Sequence, residues 1–213
     1  MRLLANTIVF AALMTTAAAT ALKAQFVNPT WILRAGVLPS VPVGDFAVKE
    51  SAKLGVGAHV SWHYFIFRDL AVGAASGFHW VNSRNSSLPN FDSLSRSNIY
   101  VVPVLASVQY HHIEKHDDIL TPDLYAGMDL GPYLFFENTT ITERITNPTT
   151  LESVEVSEKR NDLKVNFGIA PHIGVSTMFT TNIGIFLEAK AHLTFGSQMR
   201  FMLAPAAGLV IRY

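Results

Sequence analysis

The chain has 213 residues, no cysteine, and 16 basic residues against 16 acidic ones. That balance gives no electrostatic reason to expect nucleic acid as a partner, and the missing cysteine excludes both a disulfide framework and a lipid-bearing cysteine behind a leader. No stretch approaches about 18 consecutive apolar residues, which excludes a helical membrane protein, whereas the length suits one all-β domain or one small barrel.

Residues 1–24 read as a cleavable signal peptide. Arg2 supplies the positive start, Leu3 to Met14 form a short apolar run, and small residues follow from Thr15 to Ala21. Cleavage is expected after Ala24 or Ala21, which leaves 25–213 as the second unit, a β-barrel.

Apolar residues then recur at period two, the side-chain period of a strand. Trp31, Leu33, Ala35 and Val37 make the first run, and Leu54 to Ile66 the second, with Gly55, Gly57, His59, Ser61 and His63 opposite. After a tight turn at Phe67 to Asp69, Leu70, Val72, Ala74, Phe78 and Trp80 share one face, against Gly73, Gly77 and His79. The fourth run places Tyr100, Val102, Val104, Ala106, Val108 and Tyr110 outward; the fifth, Leu124 to Phe136; the sixth, Leu163 to Val175. The last two meet at a short joint: Ile183 to Phe195 against Glu188, Lys190, His192 and Thr194, then Phe201 to Tyr213 opposite small residues and Arg212. Several of these runs are roughly twice the length of an ordinary globular strand, and about 9–11 tilted residues is what crosses a bilayer.

Connections alternate in length. Val41 to Lys53, Ser83 to Ser97 and Asn138 to Asp162 are long, while Phe67 to Asp69 and Thr181 to Asn182 are short. A barrel with periplasmic turns and outer loops has that rhythm. His111 to Asp123 and Gly196 to Met199 break it. Within the third outer loop, Thr139 to Thr146 and Glu152 to Ser157 alternate again around Asn147 and Pro148, so strands five and six are expected to continue as a hairpin. Aromatic residues near the ends of the outward faces, from Trp31, Trp62 and Tyr64 to Phe195, Phe201 and Tyr213, suggest two interfacial girdles.

The inward faces carry Arg34, His59, His63, His79, Asp129, Glu137, Lys164, His172, Glu188, Lys190, His192 and Arg212. An eight-stranded barrel is just wide enough for side chains, so these are expected to form a plug in which Asp129, Glu137 and Glu188 answer Arg34, Lys164, Lys190 and Arg212. The rival is a narrow polar channel. His111, His112, Glu114, His116, Asp117 and Asp118 have metal-ligating chemistry, but adjacent strand histidines point to opposite faces, so a solvated periplasmic turn is the expectation. His79, Ser83 and Glu137 lie near the outer rim without a motif that fixes their geometry. No catalytic, cofactor or metal site is assigned.

Tyr125, Ala126, Gly127, Leu130, Gly131, Pro132 and Tyr133, within Leu124 to Phe136, resemble a strand of the outer membrane protein β-barrel domain family common in Bacteroidota, similar in architecture to the OmpA transmembrane domain. Tyr100 to Leu105, with Pro103, resembles that family's fourth strand. Gly208, Ile211 and terminal Tyr213 resemble the segment read by the barrel-assembly machinery, although Ala206 stands where that pattern has a polar residue. The resemblance implies an all-β, eight-stranded antiparallel up-and-down transmembrane β-barrel in the cell outer membrane. It further implies a non-enzymatic scaffold or surface-loop interaction protein with outer-membrane lipid and the assembly machinery as partners. A narrow passive pore and an accessory barrel of a secretion complex are the alternatives.

Overall fold

Every run with alternating polarity forms a strand, because a chain with one apolar face can satisfy its backbone and hide its polar side chains by closing a sheet on itself. The computed structural model describes residues 31–48, 51–86, 93–112, 120–146, 153–196 and 199–213; the expected signal peptide lies outside them. The strands are β1 (Trp31–Val43), β2 (Gly55–Phe65), β3 (Leu70–Ser86), β4 (Ser93–His112), β5 (Asp123–Thr146), β6 (Ser153–Met178), β7 (Ile183–Phe195) and β8 (Arg200–Arg212). They pair in sequence order, and β1 pairs with β8 to close the barrel. All pairings are antiparallel. Both ends of the described chain, Trp31 and Tyr213, sit together at the end with the short turns, where each backbone N–H donates to the other's carbonyl at 3.0 Å.

The orientation of the alternation decides what kind of barrel this is. Leu187 is 58% exposed, whereas its neighbours Glu188 and Lys190 are 4% and 5% exposed. Val60, Phe78, Val104, Leu130, Ile173 and Leu209 also face outward, and His63, Asp129 and His172 face in. A soluble barrel has the opposite polarity. Outward aromatic residues fall at two levels. At the turn end Trp31 stacks on Trp62 with ring centroids 4.3 Å apart, and at the loop end Phe78 stacks on Tyr100 at 5.8 Å.

Several connections are shorter than the sequence suggests. Ser83 to Ser97 is mostly paired strand, since β3 and β4 remain in register from Ser83↔Ser97 to Ser86↔Leu94. Beyond the lipid-facing stretch both faces are polar, so the alternation disappears although backbone pairing continues. The β5–β6 hairpin extends as expected, with pairing up to Thr146↔Ser153. β3, β4, β5 and β6 therefore rise together as a four-stranded sheet past the outward aromatic row. In Val41 to Lys53, β1 runs to Val43, Gly44 turns the chain at φ 63°, and one helical turn, α1 (Asp45–Val48), lowers Phe46 into the barrel mouth.

The lumen is narrow enough to need glycine beside its rings. A Cβ on Gly168 would lie 2.7 Å from the Tyr133 ring, and one on Gly174 would meet the Tyr125 ring. Gly168→Val is expected to cost about 1–3 kcal/mol by overpacking. The check is the urea midpoint of the refolded barrel in vesicles, which should fall.

Candidate functional site

The interior is built from side chains that alternate inward from all eight strands. At the turn end, His111 Nδ1 lies 2.9 Å and Arg212 Nη2 3.5 Å from Asp123 Oδ2. One layer further in, Arg34 donates to Gln109 Oε1 at 2.8 Å and lies 4.1 Å over the Tyr125 ring. Gln109 in turn reaches His172 at 2.9 Å.

The centre is an ion cluster. Lys190 Nζ lies 2.8 Å from Asp129, 3.0 Å from Glu188 and 3.3 Å from His59 Nε2, while the Tyr125 hydroxyl donates to Glu188 at 3.2 Å. Isolated buried ions would be prohibitive in so small a lumen, and two carboxylates around one ammonium offset that cost for all three. His63 reaches Ser107, His79 reaches Ser40, and His192 reaches the Tyr133 hydroxyl, each at 2.9 Å. At the loop end, Arg200 is held by Glu137 at 2.6 Å beside the Phe135 and Phe46 rings, and Lys164 meets the same carboxylate at 2.6 Å.

The interior is therefore packed. Two cavities among the described residues, one beside His59, His79 and His192 and one beneath Phe46, have about 10 Å³ each, the limit for a single water. A larger depression of about 610 Å³ opens on the outer wall, among outward residues such as Leu124, Ile173, Leu187 and Pro205.

Of the expected pairings, Lys190 with Asp129 and Glu188, and Lys164 with Glu137, are present. Arg34 meets an amide and a ring face instead of a carboxylate. Arg212 is answered by Asp123, a residue assigned above to the edge of a connection. Arg200 and His111 also sit inside, although the sequence reading left Arg200 unassigned and placed His111 in a connection; His111 thus belongs to the lumen and not to a solvated turn. Their signal was visible: both continue the inward parity of β8 and β4. His112 points outward and is exposed, so the two adjacent histidines do diverge. Glu114, His116, Asp117 and Asp118 lie outside the described residues. At the rim, His79 is bonded to Ser40, and Glu137 is held by Lys164 and Arg200.

Glu137 lies just past the outward aromatic Phe136. Burial raises its pKa, but the hydrogen bonds and charges of Lys164 and Arg200 outweigh this and hold it below the ordinary carboxylate range. A carboxyl lowered on folding stabilises the fold above its unfolded value, about 4.3, and loses that contribution as pH falls through the folded value. Glu137→Gln should therefore be less stable than the parent at pH 7 and indistinguishable from it in strong acid, as read from denaturant midpoints across pH.

No family model matches the chain, and no curated protein matches it by sequence. Among solved structures it is similar to the outer membrane protein OprG from Pseudomonas aeruginosa, at 12% identity and TM-score 0.48, covering 86% of this chain and 95% of that one. It is also similar to Ail, the attachment invasion locus protein of Yersinia pestis, at 12% identity and TM-score 0.45, covering 88% and 100%. Neisserial surface protein A aligns at 14% identity and TM-score 0.45, covering 86% and 97%. The assignment rests on the coordinates: closed antiparallel pairing, an apolar exterior between two aromatic levels, and charges shut inside. The chain is an eight-stranded antiparallel β-barrel of the outer-membrane type, with a filled polar lumen.

Proposed function

We propose that the protein is a non-enzymatic, non-conducting barrel of the Gram-negative outer membrane that serves as a scaffold for the sheet at its loop end. Residues 1–24 would export it, and Gly208, Ile211 and Tyr213 would present it to the barrel-assembly machinery. In β8, Gly208 faces its cross-strand partner Gly36 at the closing seam. The Bacteroidota-type resemblance belongs to the same reading. The observation that carries it is the contrast between a lumen filled from Asp123 to Arg200 and a four-stranded sheet that projects beyond the aromatic level. Rigid scaffolds place recognition on such projections. The passive pore is tested by planar-bilayer conductance: the purified barrel should give no stable openings, and reproducible single-channel steps would overturn the closed-scaffold reading. A secretion-complex role predicts stoichiometric partners after crosslinking in cells.

The hairpin supports recognition and not the barrel itself. Deleting 142–157 should leave heat-modifiable gel mobility intact. Loss of that shift would make the hairpin part of the folding unit.

A further inference from the structure

Charge is sorted between the two faces of the projecting sheet. Trp80, Tyr100, Phe136 and Leu163 are successive cross-strand partners on its outward face. The next outward row is Asn82, Asn98, Asn138 and Asn161, and the one beyond holds Arg96, Thr140 and Lys159 on β4, β5 and β6. Thr142 and Ser157 follow. Among the residues whose side chains are described, these rows contain two cations, Arg96 and Lys159, and no carboxylate. The next register pair of outward parity, Arg144↔Glu155, is of opposite charge, and Glu137, Glu158 and Asp162 of the same segments occupy the alternate register positions. On that other face Arg160 pairs with Asp162 at 3.2 Å and Lys164 with Glu137. In a chain whose formal charge is zero, the described charged residues at the level just above the asparagine row are both basic.

Its height identifies what it meets. Aromatic residues of a transmembrane barrel sit at the bilayer interface. The cationic row lies four residues further along the strands, about 13 Å, or about 10 Å in height at a typical tilt, and spans roughly 10 Å from β4 to β6. The asparagine row fills the interval with donors and acceptors, and Trp80 Nε1 donates to Asn98 Oδ1 at 3.4 Å, joining the aromatic level to it. We propose that this face binds the phosphate-bearing headgroups of lipids in the outer leaflet. The inference rests on the membrane reading above. Because the face continues the lipid-facing wall upward, its neighbours are the headgroups of the surrounding lipid and not the solvent over the barrel mouth.

The test uses the mature barrel in detergent, titrated with phosphatidylglycerol or phosphatidylcholine of matched chains and read by native mass spectrometry. Each cation near a headgroup contributes about fivefold, so phosphatidylglycerol should bind on the order of twenty-five-fold more tightly. The double variant R96Q/K159Q should lose that preference, and R96Q and K159Q should each lose part of it. R160Q/K164Q, on the other face, should keep it. Equal binding of the two lipids by the parent, or an unchanged preference in the double variant R96Q/K159Q, would overturn the proposal. Displacement of the lipid by millimolar inorganic phosphate would also overturn it, by marking an ion site. Heat-modifiable mobility of every variant, measured in parallel, reports the barrel separately, so loss of lipid preference with mobility retained cannot be a failure of the membrane reading.

Discussion

Lys190→Met is expected to destabilise the barrel by about 3–5 kcal/mol, the cost of leaving buried charge without its partner. The substitution keeps most of the side chain's volume but strands Asp129 and Glu188 inside the lumen, with Arg34 as the nearby cation one layer away. Urea unfolding in vesicles reads the effect. The triple variant K190M/D129N/E188Q should regain at least half of the loss, since removing all three charges removes the demand for pairing. If the lumen were a water-filled channel, the same ammonium would be screened and the single substitution would cost about 1 kcal/mol or less. The size of the effect therefore separates a plug from a pore independently of conductance.

Leu187→Arg is expected to cost about 2–4 kcal/mol when the barrel is inserted in a bilayer, because its side chain faces outward from the middle of β7. On a protein whose outer face met water, a substitution at so exposed a position would fall within about 0.5 kcal/mol of neutral. Thr142→Arg, on the projecting sheet beyond the aromatic row, is the matched control and should be near neutral. Equal costs at the two positions would contradict the placement of the apolar band.

The sequence made the faces legible because period two is read directly from residue order: once Leu187 is outside, Glu188 and Lys190 must be inside. It also made the hairpin of β5 and β6 legible, since Thr139 to Thr146 and Glu152 to Ser157 keep alternating beyond the membrane. Strand ends were harder. The upper parts of β3 and β4 are polar on both faces, so nothing in Ser83 to Ser97 marks them as strand, and pairing with neighbours already in place extends them. Partners across the lumen were harder still. That Arg34 finds Gln109 and Tyr125, while Arg212 finds Asp123, depends on shear and on the depth at which each strand enters the barrel. Neither quantity is encoded in one strand alone. Arg200 was missed although it shares the inward parity of Met202 and Ala204: it precedes Phe201, the first apolar residue of the run, and its pairing with Thr194 is what makes it the first residue of β8.

The absence of cysteine allows single labels to be placed cleanly. The most direct measurement is the accessibility of spin labels at Leu187→Cys, Ile173→Cys and Ser157→Cys in vesicles, to oxygen dissolved in lipid and to a nickel chelate confined to water. Labels at 187 and 173 should collide with oxygen and be shielded from the chelate, while the label at 157 should show the reverse. Free access of the chelate at 187 and 173 would contradict the account at its root.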